Sequence, residues 1–510
     1  MKKFIQVLVV AIVATTGNIY AQSGIYAGDA LRFSRTDYGS SARFKGLGNA
    51  QISLGGDISS IGGNPAGLGM FTRSEFSITP EFNNTQSNAS FLGQNTKSKK
   101  NDVNLNQAAA VWYNPVVKPK GSDLNRGLLS VVFGIGFNRN NDFSAEHNYQ
   151  GRNTNSSITD AFAEQANGYT VNNLGGAAGM AYDSYLIDRK LGTTNEYYAA
   201  GSLTNDQSSS EVREGSTSEL NFAAGLNFSN KLYLGGSIGF VNVRYVSDKI
   251  YNESGSIVTN PSNPGSTDEN DLPNPHVGKG YTMAYQTNQN TSGAGINARL
   301  GLIYKPVNEV RIGATFQSPT WMHMEEDYGE VIGVNFSDGA TVRNDYMNSN
   351  ANYNVRTPYK GSLGASVILA QSLLLSADVD YVDYGSTKLS VSDGYRDVIN
   401  ENNQYIKDNY RSAINYRVGG EYKIENFSVR GGYGVNGTPF KGDEDDKVFN
   451  VKYYSAGLGY RVNQYYVDLA YQRTETNNTF SPYELSDYSE PIATSKVAKN
   501  NVFLTLGVRF

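Results

Sequence analysis

The sequence predicts an all-β fold, a transmembrane antiparallel β-barrel of fourteen strands. Three observations lead there. Apolar and polar residues alternate strictly over stretches long enough to cross a bilayer. Short and long polar gaps alternate between those stretches. The chain also ends on an alternating strand whose last residue is aromatic, Phe510.

The alternation is clearest in LNFAAGLNF and AGINARLGLIY. In the first, Leu220, Phe222, Ala224, Leu226 and Phe228 share one face, and Asn221, Ala223, Gly225 and Asn227 the other. In the second, Ala294, Ile296, Ala298, Leu300, Leu302 and Tyr304 oppose Gly295, Asn297, Arg299, Gly301 and Ile303. Strands of a soluble sandwich rarely stay in phase that long, whereas a membrane-spanning strand needs about 9–11 residues. The pattern recurs near residues 78, 109, 133, 224, 236, 299, 314, 365, 377, 418, 431, 457, 468 and 504. An even count returns both ends to the periplasm, as bacterial outer-membrane barrels require.

The gaps support the same reading. Ser229-Asn230, Lys305 to Glu309, Ala370 to Ser372, Glu425-Asn426 and Asn463-Gln464 are short, as periplasmic turns should be. The gaps 84–104, 139–216, 247–290, 319–355, 385–411, 437–450 and 473–497 are long and polar, and are expected as extracellular loops. Residues 114–126 make one longer periplasmic turn.

The chain opens with Lys2, Lys3 and an apolar stretch from Phe4 to Val13, then the small Ala21. That is the pattern of a cleaved signal peptide, and it is too short to span a bilayer. The expected parts are a signal peptide at 1–21, a plug segment at 22–73 and the barrel at 74–510. There is no cysteine, so neither a disulfide nor a cysteine-borne lipid anchor is available. A net charge of −5 argues against a nucleic-acid partner. Mean hydropathy of −0.45 fits a barrel as well as a soluble protein, because only alternate residues face lipid.

Between signal and strands lies GGDISSIGGNPAGLGMF, residues 55–71. A phosphate loop would need a Lys after its glycines, and none follows. A compact plug fits better. Pro65 fixes its own φ and steers Asn64 away from helix, while glycines allow tight turns. Whether Asn64, Pro65 and Ala66 only seal or also gate stays open on sequence. In the long gap 139–216, SSITDAFAEQANG reads as a helix over the mouth, with Ser157 and Asp160 as its cap. Leu174, Ala177, Ala178, Met180 and Ala181 are then expected to line a surface groove.

With those residues in view, the chain resembles the FadL-type outer-membrane transporters of long-chain fatty acids and other hydrophobic compounds. Asn64-Pro65-Ala66, with Gly46-Leu47-Gly48 and Asp57 before and Met70-Phe71 after, is similar to the family's N-terminal hatch. Gly301 to Pro319 is similar to its Tyr-x-Pro turn and Arg-x-Gly strand, and Tyr416 to Phe440 and Tyr453 to Gln472 to its late strands. The resemblance implies a fourteen-stranded barrel plugged by its N-terminus, in the outer membrane of a Gram-negative bacterium. It implies capture of a hydrophobic molecule at the surface and passive passage through the lumen. In the best-known members the exit is sideways, beside an inward-kinked strand. The segment Gln22 to Phe44 is longer than the family's pattern.

By strand phase, Arg299, Arg311, Arg417, Arg430 and Arg461 face the lumen, with Glu219, Asp378, Asp380, Glu421 and Asp468. They are expected either to pair with one another or to offer an Arg to a substrate carboxylate. The acidic runs 268–271, 325–327 and 443–446 lack the spacing of a calcium loop and read as solvated loops. His147, His276 and His323 fall in different predicted loops, and no nucleophile motif accompanies them, so the chain is not expected to be an enzyme. No cofactor or metal is expected. The expected partners are hydrophobic small molecules, outer-membrane lipid and the machinery that assembles barrels, signalled by Phe510. The chain is expected to be a monomer. The competing function is a barrel of the same type that docks other proteins as a structural or secretion-associated surface protein.

Overall fold

A computed structural model describes residues 25–258, 274–392, 394–442 and 449–510. The expected signal peptide and the acidic runs 268–271 and 443–446 lie outside the described residues.

All fourteen expected strands are present. They are β1 Glu75–Phe91, β2 Gln94–Pro115, β3 Leu128–Asp142, β4 Asn205–Phe228, β5 Leu232–Ser256, β6 Gly280–Tyr304 and β7 Val310–Gln317. There follow β8 Lys360–Leu369, β9 Leu373–Asp383, β10 Ser412–Ile424, β11 Phe427–Asn436, β12 Val451–Val462, β13 Tyr465–Phe480 and β14 Ala493–Arg509. Each pairs antiparallel with the next. The ring closes where Glu75 of β1 meets Arg509 of β14. Closure pairs the strands around the whole ring, which is what lets a sheet cross a bilayer. No helix among the described residues is long and apolar enough to cross.

The alternation sorts side chains as expected. Leu220, Phe222, Ile238, Phe240 and Ile296 are exposed on the outside, whereas Glu219, Asn221 and Asn297 are buried inside. Tyrosines end the outward apolar band: Tyr304, Tyr422 and Tyr465 near the periplasmic turns, and Tyr381, Tyr454 and Tyr471 toward the outer side.

The expected long loops need correction. Residues 84–104 are not a loop: β1 and β2 run on beyond the band and turn at Leu92-Gly93. β4, β5 and β6 are likewise 24 to 25 residues long. Hydrogen-bonded ladders continue there on polar sequence because no lipid demands an apolar face. The run 325–327 is not a solvated loop either, since it lies on the strand Trp321–Phe336. Glu326 points inward and accepts from Gln289 at 2.9 Å and Thr291 at 3.1 Å.

The expected mouth helix is α3, Ile158–Ala166, with the Ser157–Asp160 capping box formed. Further helices among the described residues escaped the sequence reading: α1, Ile25–Ser34, α2, Ala42–Gly46, and α5, Arg396–Asn409, the last without a side-chain cap. The supposed groove residues Ala178, Met180 and Ala181, on α4 (Gly176–Asp183), are buried. They form a closed core with α3, Tyr251, Tyr281, Ile332 and Phe336. Buried Glu253 ties this cap to β5 by accepting from the Ile158 N–H at 3.1 Å and from Tyr251 and Tyr281 at 2.9 and 2.6 Å. A carboxylate at a helix N-terminus is favoured by the helix dipole.

Candidate functional site

Residues 25–71 run through the middle of the ring, and three levels can be separated. The outer level is largely apolar, beside a buried polar cluster in which Gln289 donates to Asp29 of α1 at 2.7 Å and to Glu326 at 2.9 Å. There α1 presents Tyr26, Ala27, Ala30, Leu31 and Phe33 to Val241, Val243, Met322, Met324, Val355 and Val382 of the wall. α5 holds the helix from the side: Asn402 Oδ1 accepts from the Ala27 N–H at 2.9 Å, and the Tyr410 hydroxyl donates to the Ala27 carbonyl at 3.0 Å. A barrel lumen is ordinarily polar, so an apolar chamber inside one marks a place for apolar material. In this structure α1 fills it.

The middle level contains a break in the wall. β2 and β3 pair only from Gln107–Pro115 to Ser130–Asn138. Above that β3 kinks at a register shift between Arg139 and Asn141 and leaves β2. The strand Ala145–Asn153 goes on pairing with β4, from Ala145 opposite Arg213 to Asn153 opposite Asn205, while packing against inward side chains of β1 and β2. Its contacts there are Thr85 Oγ1 to the Ser144 carbonyl at 3.2 Å and Ser98 Oγ to the Glu146 carbonyl at 2.6 Å. Residues 37–41 sit across the resulting gap. The Asp37 N–H donates to the Asn140 carbonyl at 2.9 Å, while Gly39 lies so close that a Cβ would come within 2.6 Å of the Arg139 carbonyl oxygen. Burial alone would raise Asp37, but Lys45, Arg417 and Lys360 outweigh it and hold this carboxyl below its usual range. The adjoining cavity, bordered by Ser34, Asn140, Arg299 and Thr320, measures about 40 Å³. That is room for water, not for an alkyl chain.

The inner level holds the glycine-rich stretch. Asp57 caps the short turn Ile58–Ile61, and Asn64 caps Pro65–Met70. Asn64 Oδ1 accepts from the Ala66 N–H at 3.1 Å, while Nδ2 donates to the carbonyls of Ile52 at 2.6 Å and Leu302 at 3.2 Å. One side chain therefore caps the turn, braces the segment and ties it to β6 near the periplasmic mouth. Asn64→Ala is expected to cost about 1–3 kcal/mol, read as a lowered melting temperature in detergent; an unchanged melt would contradict this role. Opposite the backbone of the segment the wall carries glycines. Gly235 faces Pro65 and Ala66, Gly313 faces Ile52, and Gly419 and Gly432 face Leu47 and Gly48. Any side chain at these wall positions would occupy the space of the segment's backbone.

The ten expected lumen charges separate by partner. Arg299 pairs with Glu219 at 2.7 Å and donates to Asn221 at 2.8 Å. Arg417 pairs with Asp380 at 2.5 Å, and its guanidinium lies 5.2 Å from the Tyr38 ring centre. Arg430 bridges Glu421 and Asp468, each at 2.6 Å, and Glu421 also takes Arg43 of the segment at 3.0 Å. Asp378 instead accepts backbone N–H groups of Gln51 and Ile52, at 2.5 and 2.9 Å. Arg311 and Arg461 lie near the periplasmic turns and have no acidic partner among the described residues; Arg461 sits over the Tyr466 ring. Phe510 is exposed, and its N–H donates to the Ser74 carbonyl at 3.0 Å across the closing seam.

Sequence reasoning missed α1, Gly39, Arg43 and the wall glycines. For α1 a signal existed, since Tyr26, Ala27, Ala30 and Leu31 recur at helical spacing. For the others nothing local distinguishes a glycine against a backbone from one in a strand. The histidines stay apart: His147 is buried beside Ser87, His276 pairs with Asp338, and His323 faces outward beside Asn354. Among the described residues no group of acidic and histidine side chains could hold a metal ion.

The model of the family of outer membrane transport proteins (OMPP1/FadL/TodX) matches residues 45–509. Among solved structures, the Pseudomonas putida toluene transporter TodX is similar at a TM-score of 0.53, with 14% identity over 93% of this chain and 99% of that one. A FadL homologue of Pseudomonas aeruginosa is similar at 0.51, with 13% identity over 93% and 98%. At such identity the likeness concerns the fold. No curated protein sequence matches the chain.

Proposed function

Because the chain belongs to this family of outer membrane transport proteins, and the family's role is to pass hydrophobic compounds across the outer membrane, we propose that its cargo is a long-chain fatty acid or a molecule of similar apolarity. The observation that carries this reading is the apolar outer chamber within the lumen. Each buried methylene of a cargo contributes about 0.8 kcal/mol, so such a chamber binds alkyl or aromatic matter without a specific polar contact. The cargo enters among the extracellular strands and takes the space of α1. It then leaves beside the β3 kink, where residues 37–41 cross the wall gap, or continues past Arg311 and Arg461. Residues 22–73 act as the hatch and 74–510 as the barrel. The ion pairs of Arg299, Arg417 and Arg430 brace wall and hatch, which leaves Arg311 and Arg461 as the arginines open to a carboxylate. Transport is passive and needs no cofactor.

The test is uptake of labelled long-chain fatty acid by cells with and without the gene; equal uptake would exclude this cargo class. A second measurement addresses α1. Deleting residues 25–34 is expected to strengthen binding of a fluorescent fatty acid by the purified protein at least tenfold, because the chamber no longer has to be vacated. Unchanged binding would place the cargo elsewhere.

A further inference from the structure

The outer wall across β13, β14, β1 and β2 can be read row by row from the strand register. Tyr471, Val502, Phe82 and Val103 lie side by side, all exposed, with Val103 at 76%. From Val502 down to Phe510 the strand covers about 27 Å, or about 20 Å of height once tilted. That matches an outward apolar band of about 25 Å, so this row is the top of the lipid-facing surface. The next row is Arg473, Asn500, Asn84 and Asn101. Above it come Glu475, Ala498, Gln86 and Lys99, then Asn477, Lys496, Asn88 and Lys97.

Each row stands about 5 Å higher than the last. Lys99, Lys97 and Lys496 therefore lie within reach of the headgroup layer of the outer leaflet, toward which a long lysine side chain can bend. Arg473 is taken up by Glu475 at 2.6 Å. Lys97, Lys99 and Lys496 are exposed and have no acidic partner among the described residues. Asparagines and a glutamine surround them and can donate to the same anion. On the strand Trp321–Phe336, elsewhere on the wall, the exposed residues above the band are His323, Glu325 and Asp327.

We propose that the β13–β14–β1–β2 face binds a phosphate-bearing lipid of the outer leaflet, its acyl chains along Val502, Phe82 and Val103 and its phosphates on Lys99, Lys97 and Lys496. A phosphate monoester offers several acceptor oxygens to lysine ammonium groups, and each lysine near an anionic membrane surface is worth about fivefold in binding. This site serves the membrane, not the lumen, and stands whatever the cargo is.

The experiment is native mass spectrometry of the purified full chain in nonionic detergent, titrated with bisphosphorylated lipid A and with the same lipid after dephosphorylation. The wild type is expected to retain the phosphorylated lipid at least tenfold better than the variant K97Q/K99Q/K496Q, and to lose that preference for the dephosphorylated form. The variant K388Q, an exposed lysine on another strand, is expected to behave as wild type. Equal retention by wild type and triple variant, or equal retention of both lipids by the wild type, would overturn the proposal. Heat-modifiable migration on gels checks folding; if the triple variant fails that check, the single variants are compared, each expected to lose about fivefold, and no loss in any of them would overturn it too.

Discussion

Arg417→Ala is expected to destabilise the barrel by about 3–5 kcal/mol, the usual cost of leaving half of a buried ion pair. Arg417 is 1% exposed and its partner Asp380 is fully buried. After the substitution Asp380 keeps only Lys360, 3.4 Å away, and the Tyr38 ring loses a cation from its face. Because Tyr38 belongs to the N-terminal segment inside the ring, the loss should reach that segment as well as the wall. Unfolding in urea, followed by the gel shift of the intact barrel, reads the effect. The triple substitution Arg417→Met, Asp380→Leu and Lys360→Met should recover most of the loss, since apolar replacement of a whole buried ion group is often neutral whereas leaving Lys360 alone would strand a buried cation. A single variant within about 1 kcal/mol of wild type would show that the pair is solvated.

Gly235→Val should act through the N-terminal segment inside the ring instead. The new side chain would overlap the backbone of Pro65 and Ala66, and backbone cannot rotate aside as a side chain can. Overpacking of this kind costs about 1–3 kcal/mol, and here the movable partner is the segment near the periplasmic mouth. The expected result is a leak: at least tenfold higher conductance in planar bilayers, with the barrel still folded. Gly236→Val is the control. One residue along the strand its side chain points outward, where the nearest atoms to a Cβ are 3.7 Å away. A leak in both variants would indicate damage to β5, and a leak in neither would mean that the segment seals elsewhere.

Much of the fold was legible because the bilayer imposes period two on the sequence. Leu220 to Phe228 and Ala294 to Tyr304 could be assigned to faces from alternation alone. The same rule explains the errors. Beyond the apolar band nothing enforces alternation, so residues 84–104 read as a loop although they are a paired hairpin. Glu326 was taken for a solvated acid for the same reason. Phase put Arg299, Arg417 and Arg430 on the inner face, where they are buried, but phase cannot name partners: Arg299 meets Glu219 two strands away, and Arg430 meets Asp468 likewise.

By itself, then, the sequence determined the barrel, its strand count and the faces of its side chains, because each follows from a local period and from gap lengths. It also marked the Asn64-Pro65-Ala66 turn, whose capping chemistry is local. Only the tertiary structure decided that α1 fills the apolar chamber, that Arg43 joins the N-terminal segment to the wall at Glu421, and that Gly39 lies across the β3 kink. It also decided which wall glycines touch that segment. These contacts join residues up to several hundred positions apart, and their physical basis is steric fit and charge pairing across a closed ring, which no local pattern encodes.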